Sequence, residues 1–262
     1  MVDTTSSFFH FNDTPTYSSE LLDLLIKTLK QNANHLKTEI SVQLGEGFQS
    51  VTRPWALVLA KEPDVFQDTV KNRVMSIHTR RIPPEERFWL NSIQVCRVEN
   101  IHQLRAIICA LHMKETNQEA HHIIQWIERE KDGQPPNMIV VVDLLDYLVN
   151  RQDKLNDPLR YLYIEKMTNI FLLWNLLLTS GNELCRALSV LVEVCVYETK
   201  VGRMHWEKAL GFEINHFTEL LITDKDCLPS LHQITKDYSP FVKDGIQKLH
   251  QILNYYIDKL YI

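Results

Sequence analysis

The chain has 262 residues, of which 45% are hydrophobic and 23% charged, and its formal net charge is −5. That length allows one large α/β domain with a sizeable core, or two small ones. The slightly acidic balance excludes a globally basic protein that grips bare DNA by its own field.

Five cysteines (Cys96, Cys109, Cys185, Cys195 and Cys227) are scattered through mostly apolar runs without C-x-x-C or Cys/His spacing. They read as reduced thiols of a cytosolic or nuclear protein, and no metal site is expected. The first residues lack a basic region followed by an apolar core, so they are not read as a secretory signal. The apolar run from Ile170 to Leu178 is too short to span a bilayer. The expectation is a soluble, intracellular protein without membrane contact.

In chain order, residues 1–18 are Ser/Thr-rich around the aromatic knot "FFHF", and they are read as a flexible N-terminal arm. Ser18 and Ser19 are cap candidates for a helix in "SSELLDLLIKTLKQ". "TEISVQL" is then expected to be a strand, "RPWALVLAKE" a helix, and Arg73–Thr79 ("RVMSIHT") a strand. Ser92–Val98 alternates with period two and reads as a strand. From Asn100 to about Gly133 one long helix is expected, with Asn100 as its cap. "NMIVVVD" is a continuous apolar, largely β-branched run ending in an acid, the mark of a parallel strand buried on both faces. Asp157, Pro158 and Gly181 bracket another helix. "ALSVLVEVCVY" is a further buried strand, "NHFTELLIT" is a strand candidate, and the tail from Asp244 has helical apolar spacing with a strand left open. Alternation of this kind predicts an α/β domain with a mostly parallel central sheet flanked by helices, over residues 19–262.

The loop Gly45-Glu46-Gly47-Phe48-Gln49-Ser50-Val51-Thr52 falls between an expected strand and an expected helix. A phosphate-binding loop reads G-x-x-x-x-G-K-[ST] in that setting. Its amides cradle the phosphates, its lysine reaches the terminal ones and its hydroxyl holds magnesium. Gly45 and Thr52 keep the frame, whereas Ser50 and Val51 stand where the second glycine and the lysine belong. An ordinary turn is the alternative. Asp143, closing "VVVD", has the form of a Walker-B carboxylate. It is read either as part of an interface or as a strand-end acid capping the next loop.

These pieces, with "IHTRRIPPEERF" (Ile77–Phe88), "TYSSELLDLL" and "ALGFEINHFTELLI" (Ala209–Ile222), resemble the eukaryotic RecA-type recombinases (the Rad-fifty-one family) and their paralogues. "IHTRRIPP", "SIQVCRVENIHQLRAIICALH" and "IVVVDLLDYLV" are most similar to the small paralogue that partners a SWIM-domain protein in Shu-type complexes. The resemblance covers roughly residues 14–222. It implies a RecA-like core, a nuclear protein of homologous-recombination DNA repair, and pairing with another paralogue or a SWIM-domain protein. It also implies action on recombinase filaments, with single-stranded DNA reached through the complex.

The departures imply a pseudo-ATPase without a catalytic residue. Val51 replaces the lysine, and Arg80 stands where the family carries the acid that positions the attacking water, so ATP binding is doubtful. An ATPase with an unorthodox loop, which needs a lysine from elsewhere while Lys61 and Lys71 are out of register, and an unrelated helical adaptor are the alternatives. Phe8, Phe9 and Phe11 are candidates for partner docking, or for packing on the chain's own core. Arg80 and Arg81, with Lys71 and Arg73, form a candidate patch for DNA phosphates or a partner's acids, or a solvated loop.

Overall fold

The computed structural model describes residues 5–12, 19–44, 53–79, 84–112, 122–131, 134–147, 192–202, 204 and 259–261. The elements run β1 (Thr5–Asn12), α1 (Ser19–Leu44), β2 (Ala56–Ala60), α2 (Pro63–Thr79), α3 (Pro84–Leu90), β3 (Ile93–Arg97), α4 (Ile101–His112), α5 (His122–Lys131), β4 (Met138–Val142), α6 (Leu144–Tyr147), β5 (Val192–Thr199) and β6 (Lys259–Tyr261). The strands form a six-stranded sheet in the order β3-β2-β4-β5-β1-β6. All the described pairings are parallel. The chain is therefore α/β with a parallel sheet and helical connections, as its alternation predicts.

β2 and β4 are buried on both faces, as the apolar runs "ALVLA" and "MIVVV" require in the middle of such a sheet. Their register is Ala56↔Met138 and Val58↔Val140, and Val140 in turn lies beside Cys195 of β5. Alternation divides these side chains between two layers. One layer joins Ala56, Val58, Val140, Cys195 and Tyr197 to Leu21, Leu25 and Leu29 of α1, Phe66 of α2 and Trp89 of α3. The opposite parity buries Leu57, Leu59, Ile139, Val141, Val194 and Val196. The connection from β3 to β4 runs across the sheet against the direction of the one from β2 to β3. Right-handed crossover therefore puts α4 and α5 on this second face. Their own buried residues are Leu104, Ile107, Ile108 and Ile127.

Several sequence-based expectations are corrected here. "TEISVQL" is the last part of α1, not a strand. No glycine or proline interrupts residues 19–44, so each further residue adds one hydrogen bond to an existing helix, and this outweighs β-branched preference. Gly45 follows directly, where a glycine commonly ends a helix. Arg73–Thr79 is likewise the end of a helix, α2, opened by Pro63 at its first position. "RPWALVLAKE" holds β2 and not a helix, because Pro54 and Pro63 leave room only for a short strand between them.

The segment taken for a flexible arm contributes β1, hydrogen-bonded between β5 and β6. β3, β4, β5 and the Asn100 cap are as expected. Asn100 Oδ1 accepts from Gln103 N at 3.0 Å, and Gln103 Oε1 accepts from Glu99 N at 2.8 Å. The single long helix after Asn100 is described as α4 and α5, with residues 113–121 outside the described set. The expected helix at 157–181 and the strand candidate "NHFTELLIT" also lie outside it. The last residues contribute β6, a strand, to the sheet edge.

Candidate functional site

In a parallel sheet every strand delivers its following loop to the same edge, and ligands of open α/β sheets collect there. Here that edge carries Lys61 after β2, Val98 after β3, Asp143 after β4 and Thr199 at the end of β5.

Asp143 is half-buried and adopts a left-handed backbone, with φ of 52°. Aspartate tolerates this conformation better than most residues. Its amide donates to Tyr197 O at 2.9 Å, which carries the β4–β5 pairing one residue past the strand. Its carboxylate is engaged at both oxygens by one residue: Oδ1 accepts from Thr199 N at 2.7 Å and Oδ2 from Thr199 Oγ1 at 3.1 Å. Thr199 Oγ1 in turn accepts from Gly202 N at 3.1 Å. Gly202 lies so close that a Cβ on it would sit 2.4 Å from Asp143 Oδ1. Of the two readings of Asp143, this geometry describes the strand-end cap: a carboxylate tying β4 to β5 and to the helical turn that follows.

The neighbouring cluster fastens α6. Lys61 Nζ donates to Asp146 Oδ2 at 2.8 Å and to Asp146 O at 2.7 Å, and it lies 4.8 Å from the centre of the Tyr147 ring. Tyr147 Oη donates to Val98 O at 3.1 Å. Lys61 is thus on the edge where a phosphate would bind but is committed to an acid of α6. Across the sheet, on strand β1, His10 stacks on Tyr197 of β5 with ring centres 5.1 Å apart. Burial lowers the pKa of His10 from its ordinary value, and the charge of Glu20 opposes that effect.

Gly45, Gly47, Ser50, Val51 and Thr52 lie outside the described residues, but their setting is a helix before and a strand after. A phosphate-binding loop requires the reverse, so the degenerate loop proposed there has lost its frame. Arg80 and Arg81 are also outside the described residues, between α2 and α3. Lys71 and Arg73, grouped with them as a basic patch, are on α2. Lys71 pairs with Asp68 at 3.1 Å, and Arg73 with Glu86 at 2.9 Å and Asp23 at 3.0 Å. The Glu86 hydrogen bond leads the causes that raise the Arg73 pKa. Arg73 is therefore a tie between helices and not a free cation for DNA. Phe8, Phe9 and Phe11 are in β1, in register with Cys195, Val196 and Glu198. The backbone of Phe8 and Phe9 pairs also with Lys259 and Leu260, so this strand is not a loose docking arm.

One feature escaped the sequence reading. The connection from β1 to α1 leaves a strand on the carboxyl edge and opens the long helix of the first layer, with Asp13–Ser18 between them. The G-x-x-x-x-G-K-[ST] frame laid there spans Asn12–Ser19, with Ser19 at the hydroxyl position and Ser18 at the lysine position. The Ser18-Ser19 cap was the available signal, had the residues before it been read as a strand. Among the described residues no group of His, Cys, Asp or Glu is arranged to hold a metal ion, and no helix is long and apolar enough to cross a membrane. No protein-family model matches this chain, and no curated protein matches it significantly.

Proposed function

We propose that the chain is a non-catalytic recombinase paralogue of nuclear homologous-recombination repair. It pairs with another paralogue or a SWIM-domain protein, and the pair binds and stabilises or remodels recombinase filaments on single-stranded DNA. The observation that carries this reading is the carboxyl edge of the parallel sheet. A fully buried central strand ends there in Asp143, and the step from strand β1 to helix α1 opens there, with Asn12 and Tyr17 at the glycine positions and Ser18 at the lysine position of a phosphate-loop frame.

Loss of that lysine removes the charge that clamps the terminal phosphates, and phosphoryl transfer depends on such electrostatics. The second strand in chain order is β2, which ends at Ala60, whereas Arg80 follows helix α2 in sequence and so does not stand directly after that strand. The non-catalytic reading therefore stands on the missing lysine. The ATPase alternative would draw on Lys61, whose ammonium is held by Asp146. The helical adaptor alternative does not fit a chain with a six-stranded parallel sheet.

The test is co-purification from the native source with identification of bound proteins by mass spectrometry. Recovery of a recombinase, another paralogue or a SWIM-domain protein is expected. Recovery of unrelated proteins alone, or of none, counts against the proposal. Asp143→Asn is preferable to Asp143→Ala for probing the edge, because the alanine also removes the Thr199 brace.

A further inference from the structure

The opposite, amino-terminal edge of the sheet places a lysine against tryptophan rings. Trp55 precedes β2 and is 1% exposed. It is fixed there: its N donates to Asn137 Oδ1 at 3.2 Å and its Nε1 to Gln134 O at 3.0 Å. Trp126 of α5 meets it edge-on, with ring centres 5.7 Å apart. Lys131, the last residue of α5, holds its side-chain nitrogen 5.4 Å from both ring centres. Lys131 is half-buried, so this nitrogen rests on the indoles while staying within reach of a small reagent.

A second cation stands close by. Arg53, two residues before Trp55, is anchored by donating to Ser92 Oγ at 2.6 Å and to Phe88 O. The Lys131 pKa is lowered, first by burial and then by the charge of Arg53, while Glu130 opposes both. The Glu130 carboxylate also accepts from Arg129 at 2.8 Å. Lys30, Lys61 and Lys71 are placed differently, each with its ammonium on a carboxylate.

A lysine becomes a nucleophile where apolar walls strip water from its ammonium, or where another cation stands beside it. Lys131 has both. The structure assigns Lys131 as a covalent acylation site, taking acyl groups from thioesters. Its neutral amine attacks the thioester carbonyl carbon. The N–C bond forms, the C–S bond breaks, the sulfur leaves with a proton from the amine as a thiol, and Lys131 becomes an uncharged amide. An amide has no charge to hold against the two rings, so acylation releases the end of α5 from the lead-in to β2. The site lies on the edge away from Asp143. It does not depend on the recombinase reading, whose co-purification test can fail without affecting it.

The test treats the full-length protein with a limiting amount of S-acetyl-N-acetylcysteamine, a small thioester, at mildly alkaline pH. Peptide mass spectrometry then follows each lysine in time. Lys131 is expected to acetylate about 3- to 10-fold faster than the exposed Lys27. Arg53→Gln is expected to bring the rate down toward that of Lys27, and Arg53→Lys to keep it. The acetylated protein and Lys131→Gln are both expected to exchange the amide hydrogens of α5 faster than the unaltered protein, whereas Lys131→Arg, which keeps the cation, is not. Circular dichroism on each variant separates these effects from misfolding. A Lys131 rate no higher than that of Lys27 overturns the proposal and leaves the lysine as a tie between α5 and Trp55. A rate unmoved by Arg53→Gln overturns it too. Unchanged exchange in α5 after acetylation overturns the release.

Discussion

Asp143, Thr199 and Gly202 act as one unit. The carboxylate accepts two hydrogen bonds from a residue 56 positions later, and Gly202 leaves no room for a methyl group against it. Asp143→Ala is expected to cost about 1–3 kcal/mol, because Thr199 N loses a charged acceptor in a partly buried place. Gly202→Ala is expected to cost a similar ~1–3 kcal/mol by overpacking against the same carboxylate. Combined, the two should fall short of their sum, since the alanine at Asp143 removes the atoms that Gly202→Ala would strike. Urea unfolding of the singles and the double mutant measures this, and strict additivity would contradict a shared site.

His10 supplies a second test at this scale. Its depressed pKa means that the folded state favours the neutral ring, while the unfolded chain protonates near its ordinary 6.5. Its contribution is therefore lost as pH falls through about 6.5 and is fully lost below the folded pKa. His10→Phe, which keeps a ring against Tyr197, is expected to flatten this part of the stability–pH profile. An unchanged profile would place the titration elsewhere.

At the scale of elements, what was legible depended on whether a pattern had one meaning. "MIVVV" and "VEVCVY" are β-branched runs that only a buried strand explains, and both are strands. Asn100 is a polar cap before an apolar period, and it caps. "ALVLA" has a single β-branched residue and suits a helix equally well. Its strand identity comes from prolines on either side and from the parallel neighbours β3 and β4, which local sequence does not reveal. "TEISVQL" was misread for the converse reason, since an established helix can absorb β-branched residues. The same error gave the Gly45–Thr52 loop a strand before it and a helix after it, the reverse of its setting. Asp143 was legible as an edge acid, whereas its distant partner Thr199 was not.

The α6 cluster is the most direct element-scale prediction. Lys61 joins the end of β2 to α6 through an ion pair in which Asp146 is nearly covered. Lys61→Met keeps much of the contact with Tyr147 but leaves the Asp146 carboxylate without its cation. A loss of roughly 1–3 kcal/mol is expected, and adding Asp146→Asn should recover part of it. A double-mutant cycle from thermal or urea unfolding decides the point.

For the whole molecule, the proposed function has a consequence for ligand response. A ligand that binds the folded state raises the midpoint of thermal unfolding in proportion to the logarithm of its concentration over Kd. Without a lysine in the frame from Asn12 to Ser19, millimolar ATP with magnesium is expected to leave the midpoint where it is. A shift of several degrees that Lys61→Met abolishes would replace this reading with the unorthodox ATPase.

The position of β1 also bears on how the chain is made. The strand nearest the start is completed on one side by Val192–Thr199 and on the other by Lys259–Tyr261. At roughly 5–20 residues per second of synthesis, about 180 residues separate Asn12 from its first partner strand. The aromatic β1 therefore waits on the order of 10–35 s on a ribosome before its backbone can pair. A nascent chain of this design carries an early apolar segment whose hydrogen bonds all come late, and such a segment is a natural client for a chaperone that holds extended peptides.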